Sequence, residues 1–252
     1  GVDPTVTATR SEMVQFPSNG DTTPGYLARP EGDGPFPGVI VIQEWWGLNE
    51  NIKDIANRFA QLGYMTLAVD LYTRYGGPPP MDDLQKLMER LFSMSDADAL
   101  GDLEGAADFL RARPDTTGKL GCIGFCMGGR YTLLFAGASD RLDAAVDCWG
   151  GFIQTATPDQ LSTDERPTPP LELAGKLSCP LLAAVGAEDQ NPSPELGEQL
   201  RGRAGASGQP VQVDIYDGAG HAFFADYRPS YRAGPAAQLW ERVVPFLAQH
   251  LR

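Results

Sequence analysis

The chain has 252 residues, 42% of them hydrophobic, and a formal net charge of −13. That size and apolar content suit one large domain and exclude a disordered or collagen-like chain. The negative balance argues against nucleic-acid backbones and anionic membrane surfaces as partners.

Four cysteines without a C-x-x-C, and two histidines far apart, fit neither a disulfide scaffold nor a zinc site. No apolar run approaches the ~20 residues of a membrane span, and no signal-peptide pattern is read at the start. The expectation is a cytoplasmic monomer that acts on a small molecule.

Residues 12–29 predict two short edge strands, with Met13, Gln15 and Pro17 alternating against Val14, Phe16 and Ser18 and a turn at Gly20-Asp21. Residues 38–42 (GVIVI) form a continuous apolar run, as a strand covered on both faces requires. A helix follows, with Asn51 and Asp54 resembling a capping box, Ile52, Ile55, Ala56 and Phe59 on one stripe, and Gly63 as its terminating glycine.

The alternation continues with a strand at 64–69, helices around 84–91 and 98–112, and a strand at 119–125 leading into a helix from Met127. Strands at 142–148, 179–185 and 211–216 are interleaved with a helix at 194–203, and a last helix carries Trp240, Val243, Val244 and Leu247 around Pro245. Strands alternating with helices predict a mostly parallel α/β sheet with helices on both faces, in one domain spanning 1–252. The Pro/Thr-rich stretch 150–176 is a candidate cap or lid.

Chemistry concentrates in Gly124-Phe125-Cys126-Met127-Gly128, a G-x-C-x-G where a strand ends and a helix begins. A nucleophile at such a corner needs flanking residues without a Cβ, and the next amide, that of Met127, faces the reacting carbonyl oxygen. The helix N-terminus favours a thiolate. Cys122, Cys148 and Cys179 read as core.

A nucleophilic thiol needs a base, and two histidines are available. His250 stands in the last turn of a helix. His221 follows a strand in the glycine-rich loop Asp217–His221, where it can reach over the strand ends. Asp189 or Glu188, after another strand, can orient its imidazole. The order nucleophile, acid, histidine is that of α/β-hydrolases; a dehalogenase would carry aspartate at the elbow.

With these residues in place the chain resembles the dienelactone hydrolase family (carboxymethylenebutenolidases) from about Val14 to the final helix. The resemblance rests on Gln43-Glu44-Trp45-Trp46-Gly47, Asp70-Leu71-Tyr72, Gly101-Asp102-Leu103, the 124–129 elbow and Gly220-His221-Ala222-Phe223. It implies an α/β-hydrolase fold and a Cys-His-Asp triad of Cys126, His221 and Asp189, with no metal and no cofactor. It further implies that Glu44 helps deprotonate the thiol when substrate arrives, and that the Trp45 amide joins that of Met127 in an oxyanion hole.

Family members that act on dienelactone hold its carboxylate with arginines. This chain departs from them, with Ala225 four residues after His221 and Asp82 near the other position. Arg74 and Arg228 are candidate replacements, and Trp46, Trp149 and Phe223 join Trp45 as candidate aromatic pocket residues. The activity implied is hydrolysis of a small lactone or activated ester. A general carboxylesterase or thioesterase, and a non-catalytic ligand-binding hydrolase fold, are the alternatives.

Overall fold

A hairpin of two ten-residue strands, β1 (Thr9–Ser18) and β2 (Asp21–Pro30), leads the computed structural model, which describes residues 7–155 and 162–252. Its turn is Asn19-Gly20, both at positive φ (51° and 77°), rather than Gly20-Asp21. Two left-handed residues match the twist of the flanking strands. The alternation along β1 is as expected, with Met13 exposed and Phe16 fully buried.

The hairpin joins a sheet with β3 (Phe36–Ile42), β4 (Met65–Val69), β5 (Thr116–Phe125), β6 (Ala144–Cys148), β7 (Leu181–Gly186) and β8 (Val211–Tyr216). The spatial order is β1-β2-β4-β3-β5-β6-β7-β8. β1, β2 and β4 pair antiparallel in turn, and the strands from β4 through β8 run parallel. This is the α/β-hydrolase fold.

The helices are α1 (Glu50–Gln61), α2 (Leu84–Ser93), α3 (Asp96–Arg111), α4 (Met127–Ala138), the short α5 (Pro170–Leu173), α6 (Pro194–Gly205) and α7 (Ala233–Leu251). Each central strand serves two cores. In β3, Val39 and Val41 pack with α1 and α7, whereas Ile40 and Ile42 pack with α2, α3 and α4. Two-sided burial is why these strands are apolar throughout rather than alternating.

α1 is capped by Asn49, whose side chain accepts from the Ile52 amide at 3.1 Å. Asn51 already lies inside the helix, and the position three after Asn49 is Ile52, so the cap is one-sided rather than the expected box. Gly63 does follow the helix at φ 102°, the left-handed position that a glycine end requires. Pro245 lies within α7, as its place in the sequence implied.

The Gly101-Asp102-Leu103 motif is structural. Asp102 is buried and accepts from Ser18, Asn19 and Thr23 of the hairpin and from Arg74. A Cβ on Gly105, one turn on, would meet the Pro17 carbonyl oxygen at 2.4 Å. α3 therefore presses directly on β1.

The described part of 150–176 is tied to the body of the fold. Phe152 N–H donates to Asn191 Oδ1, Leu171 N–H to the Ile153 carbonyl, and Asp96 N–H to the Glu165 carbonyl. Residues 156–161 of the candidate cap lie outside the described residues.

Candidate active site

Cys126 stands between the last residue of β5 and the first of α4, with φ 59° and ψ −118°. Such a backbone is costly for a residue with a side chain and persists where the surroundings enforce it. They do so here. A Cβ on Gly124 would lie 1.9 Å from the Gly128 carbonyl oxygen, and one on Gly128 would lie 2.3 Å from that of Ile42. The two glycines let the strand, the elbow and β3 close on one another and push the thiol out of the strand end.

The thiol meets the imidazole there. His221 Nε2 is 3.1 Å from Cys126 Sγ, and Nδ1 is 2.8 Å from Asp189 Oδ2. Asp189 also accepts the Asn191 amide through Oδ1 at 3.0 Å. It is buried while Glu188 is exposed, which decides between the two acids. Burial opposes a charge on His221, but the Cys126 sulfur and the Asp189 carboxylate outweigh it and raise its pKa.

The other three thiols are buried. Burial pushes Cys122 and Cys179 up to about 12 and raises Cys148 as well. His250 is in the last turn of α7 with its ring against Phe246.

The amides of Trp45 and Met127 lie beside this corner. The Glu44 carbonyl accepts from Gly47 N–H at 3.0 Å, so the Trp45 N–H, on the opposite edge of that peptide, is turned away from the turn. Among the described residues neither the Trp45 nor the Met127 amide donates to a protein acceptor. Both residues line a cavity of about 330 Å³ with Cys126, His221, Asp189, Met88, Leu91, Arg130, Phe152 and Arg166. That volume is at the low end for small-molecule sites.

The remaining candidates are held by contacts outside the triad. The Glu44 carboxylate accepts from Arg228 at 3.0 Å and from Tyr227 at 3.3 Å, and its hydrogen bonds do not reach the thiol. Burial raises its pKa against the opposing pull of Arg228 and His221. Arg74 is not in the pocket, because Nε and Nη2 bind Asp102 at 2.9 and 2.6 Å. Trp149 and Phe223 are fully buried behind the site, with ring centroids 4.7 Å apart, in the core beneath α7. Trp46 packs edge-on to Trp45, with the Arg228 guanidinium 5.7 Å from its ring, outside the cavity wall.

Sequence reasoning missed two arginines that do line the cavity. Arg130 follows the elbow by four residues and forms a two-bond pair with Asp96 at 2.8 and 3.0 Å. Arg166 donates to the Leu91 carbonyl and lies 5.1 Å from the Phe92 ring. The elbow's position gave a signal for Arg130; nothing in the composition of 150–176 singled out Arg166.

The family model of the dienelactone hydrolase family matches residues 23–251. A candidate carboxymethylenebutenolidase of Escherichia coli (strain K12) is 38% identical over 243 residues, which is 94% of this chain and 86% of that protein. A protein of Bradyrhizobium sp named as a 2-oxo-3-(5-oxofuran-2-ylidene)propanoate lactonase is 30% identical over 241 residues, covering 95% and 94% of the two chains. The crystal structure of a candidate dienelactone hydrolase from Klebsiella pneumoniae superposes with a TM-score of 0.89 at 34% identity, over 96% of this chain and all of that one. With matches running from β2 to α7, the chain is a hydrolase and belongs to the dienelactone hydrolase family.

Proposed function

We propose that the chain hydrolyses small lactones or activated esters through a thioester on Cys126. The observation that carries this is the continuous path from Sγ through His221 to Asp189, at 3.1 and 2.8 Å.

In this reading the thiolate attacks the carbonyl carbon, and the oxygen takes its charge toward the Met127 and Trp45 amides. Collapse expels the alcohol or enol, which takes a proton from the His221 imidazolium and leaves a thioester. The imidazole then removes a proton from water as that water attacks the thioester, and the acid departs. Asp189 fixes the tautomer and offsets the imidazolium charge.

Glu44 contributes a buried negative charge that attracts the imidazolium, since its carboxylate is engaged by Arg228 and Tyr227. A thiolate suits enols and phenols as leaving groups better than amines. The chain acts as one domain, with the 150–176 stretch supplying Phe152 and Arg166 to one wall of the pocket. The lactonase named from Bradyrhizobium supports lactones as one substrate class.

A second reading, an esterase for uncharged substrates, is favoured by the pocket lining. Trp45, Met88, Leu91, Met127 and Phe152 are apolar, Arg130 is matched by Asp96, and Arg166 donates to Leu91. A neutral aryl ester turned over more than about tenfold faster than a carboxylate-bearing lactone selects this reading, by the arithmetic of 1.4 kcal/mol per decade.

The core proposal is tested by alkylation and turnover together. Iodoacetamide is expected to label Cys126 and abolish p-nitrophenyl acetate hydrolysis, and Cys126→Ala and His221→Ala are each expected to lose about 10³-fold or more in kcat. Full hydrolysis by Cys126→Ala would reject it.

A further inference from the structure

Resting on the thioester reading, we propose that Tyr72 is a positioning residue for the oxyanion hole, holding Trp45 in place through one hydroxyl. Its hydroxyl donates to the Trp45 carbonyl at 2.7 Å and lies 3.5 Å from Met127 Sδ. One buried atom therefore touches the Trp45 carbonyl, beyond the β3 end, and the Met127 thioether, at the start of α4.

The surroundings hold that hydroxyl firmly. Tyr72 is fully buried, its own amide donates to Asp70 Oδ1 at 3.0 Å, and the neighbouring Leu71 amide donates to Gln43 Oε1 at 2.9 Å. The Asp70-Leu71-Tyr72 motif thus locks onto the 43–47 strip twice, through Gln43 and through Trp45. From the other side, a Cβ on Gly47 would stand 3.3 Å from the Tyr72 ring, and Gly47 sits at φ 88°. Strip and ring are in direct contact, so a shift of one moves the other.

The chemistry fits a fixed neutral donor. Burial raises the pKa of Tyr72 strongly, so the hydroxyl keeps its proton throughout the working range. The Trp45 carbonyl is then permanently bonded, which anchors the residue whose amide has no protein acceptor among the described residues. An oxyanion donor must be in place before charge develops, since its value lies in needing no reorganisation.

Tyr72→Phe removes the oxygen and keeps the ring. Loss of a direct oxyanion donor costs about 10²–10³-fold, and a misaligned one less, so kcat is expected to fall about tenfold with KM within about twofold. Two further readouts separate positioning from general damage. Iodoacetamide alkylation of Cys126 forms no oxyanion, so its rate is expected to stay unchanged. The preference for an oxoester over the matching thionoester, whose sulfur accepts hydrogen bonds poorly, is expected to shrink.

Gly47→Ala, which crowds the same ring, is expected to shrink the same preference and carries the test if the phenylalanine variant fails to fold. Unchanged kcat in Tyr72→Phe, or an unaltered oxoester preference in the folded variant, would overturn the proposal. A parallel fall in alkylation and turnover would overturn it as well. Retained hydrolysis by Cys126→Ala would instead remove the thioester reading on which it stands.

Discussion

Arg228 Nη1 stands 3.0 Å from Glu44 Oε1, in a pair whose carboxylate side chain is 3% exposed and whose guanidinium side chain is 18% exposed. A buried carboxylate owes its charge to such a partner, and removing the partner strands the charge.

Arg228→Ala is therefore expected to destabilise the fold by about 3 kcal/mol at neutral pH, less if water enters beside the carboxylate. Glu44→Gln together with Arg228→Ala should recover most of that loss. Thermal unfolding of the three variants checks the coupling, and additive effects of the two substitutions would contradict it.

Asp189 orients the base through a 2.8 Å bond to Nδ1. Asp189→Asn keeps the shape but removes the charge and favours the wrong tautomer, and a fall in kcat of at least about 10²-fold is expected. Glu188→Gln, at an exposed position, is expected to leave kcat within twofold. Steady-state kinetics on one aryl ester compares them, and equal losses would place the acid elsewhere.

Asp147 lies in β6, behind the elbow, where its Oδ1 accepts the Gly150 amide at 2.9 Å. Burial, only partly opposed by that bond, pushes its pKa up from 3.8 to about 7. Between those two values the folded chain holds a proton that the unfolded chain has released. Stability from this group therefore falls as pH rises from about 4 to about 7 and is level above. Asp147→Asn keeps an acceptor for Gly150 and removes the titration. Its Tm is expected to vary less than that of the parent between pH 5 and 8, and to exceed it by a few degrees at pH 8. Parallel Tm profiles would refute the assignment.

Much of this molecule can be read along the chain. The run 38–42 is apolar at every position because helices cover both faces of β3. Gly124, Cys126 and Gly128 announce a corner because a Cβ at either glycine would meet a carbonyl oxygen that the turn at φ 59° brings close. His221 was the sole interior histidine, and a short loop after β8 could only carry it over the strand ends. Periodicity and backbone sterics are local properties, so a linear sequence carries them.

Partners of charges are not local. Arg74 looked available and is held by Asp102, while Arg130 and Arg166 stand in the pocket wall. Trp149 and Phe223 looked like an aromatic site and instead fill the core under α7. Glu44 is paired with Arg228, 184 residues away. The sequence by itself determined the sheet, the corner and the order of the three reactive residues. Which charge meets which, and which ring faces the cavity, was decided by packing between distant segments, because a side chain's partner depends on what the other elements leave within its reach.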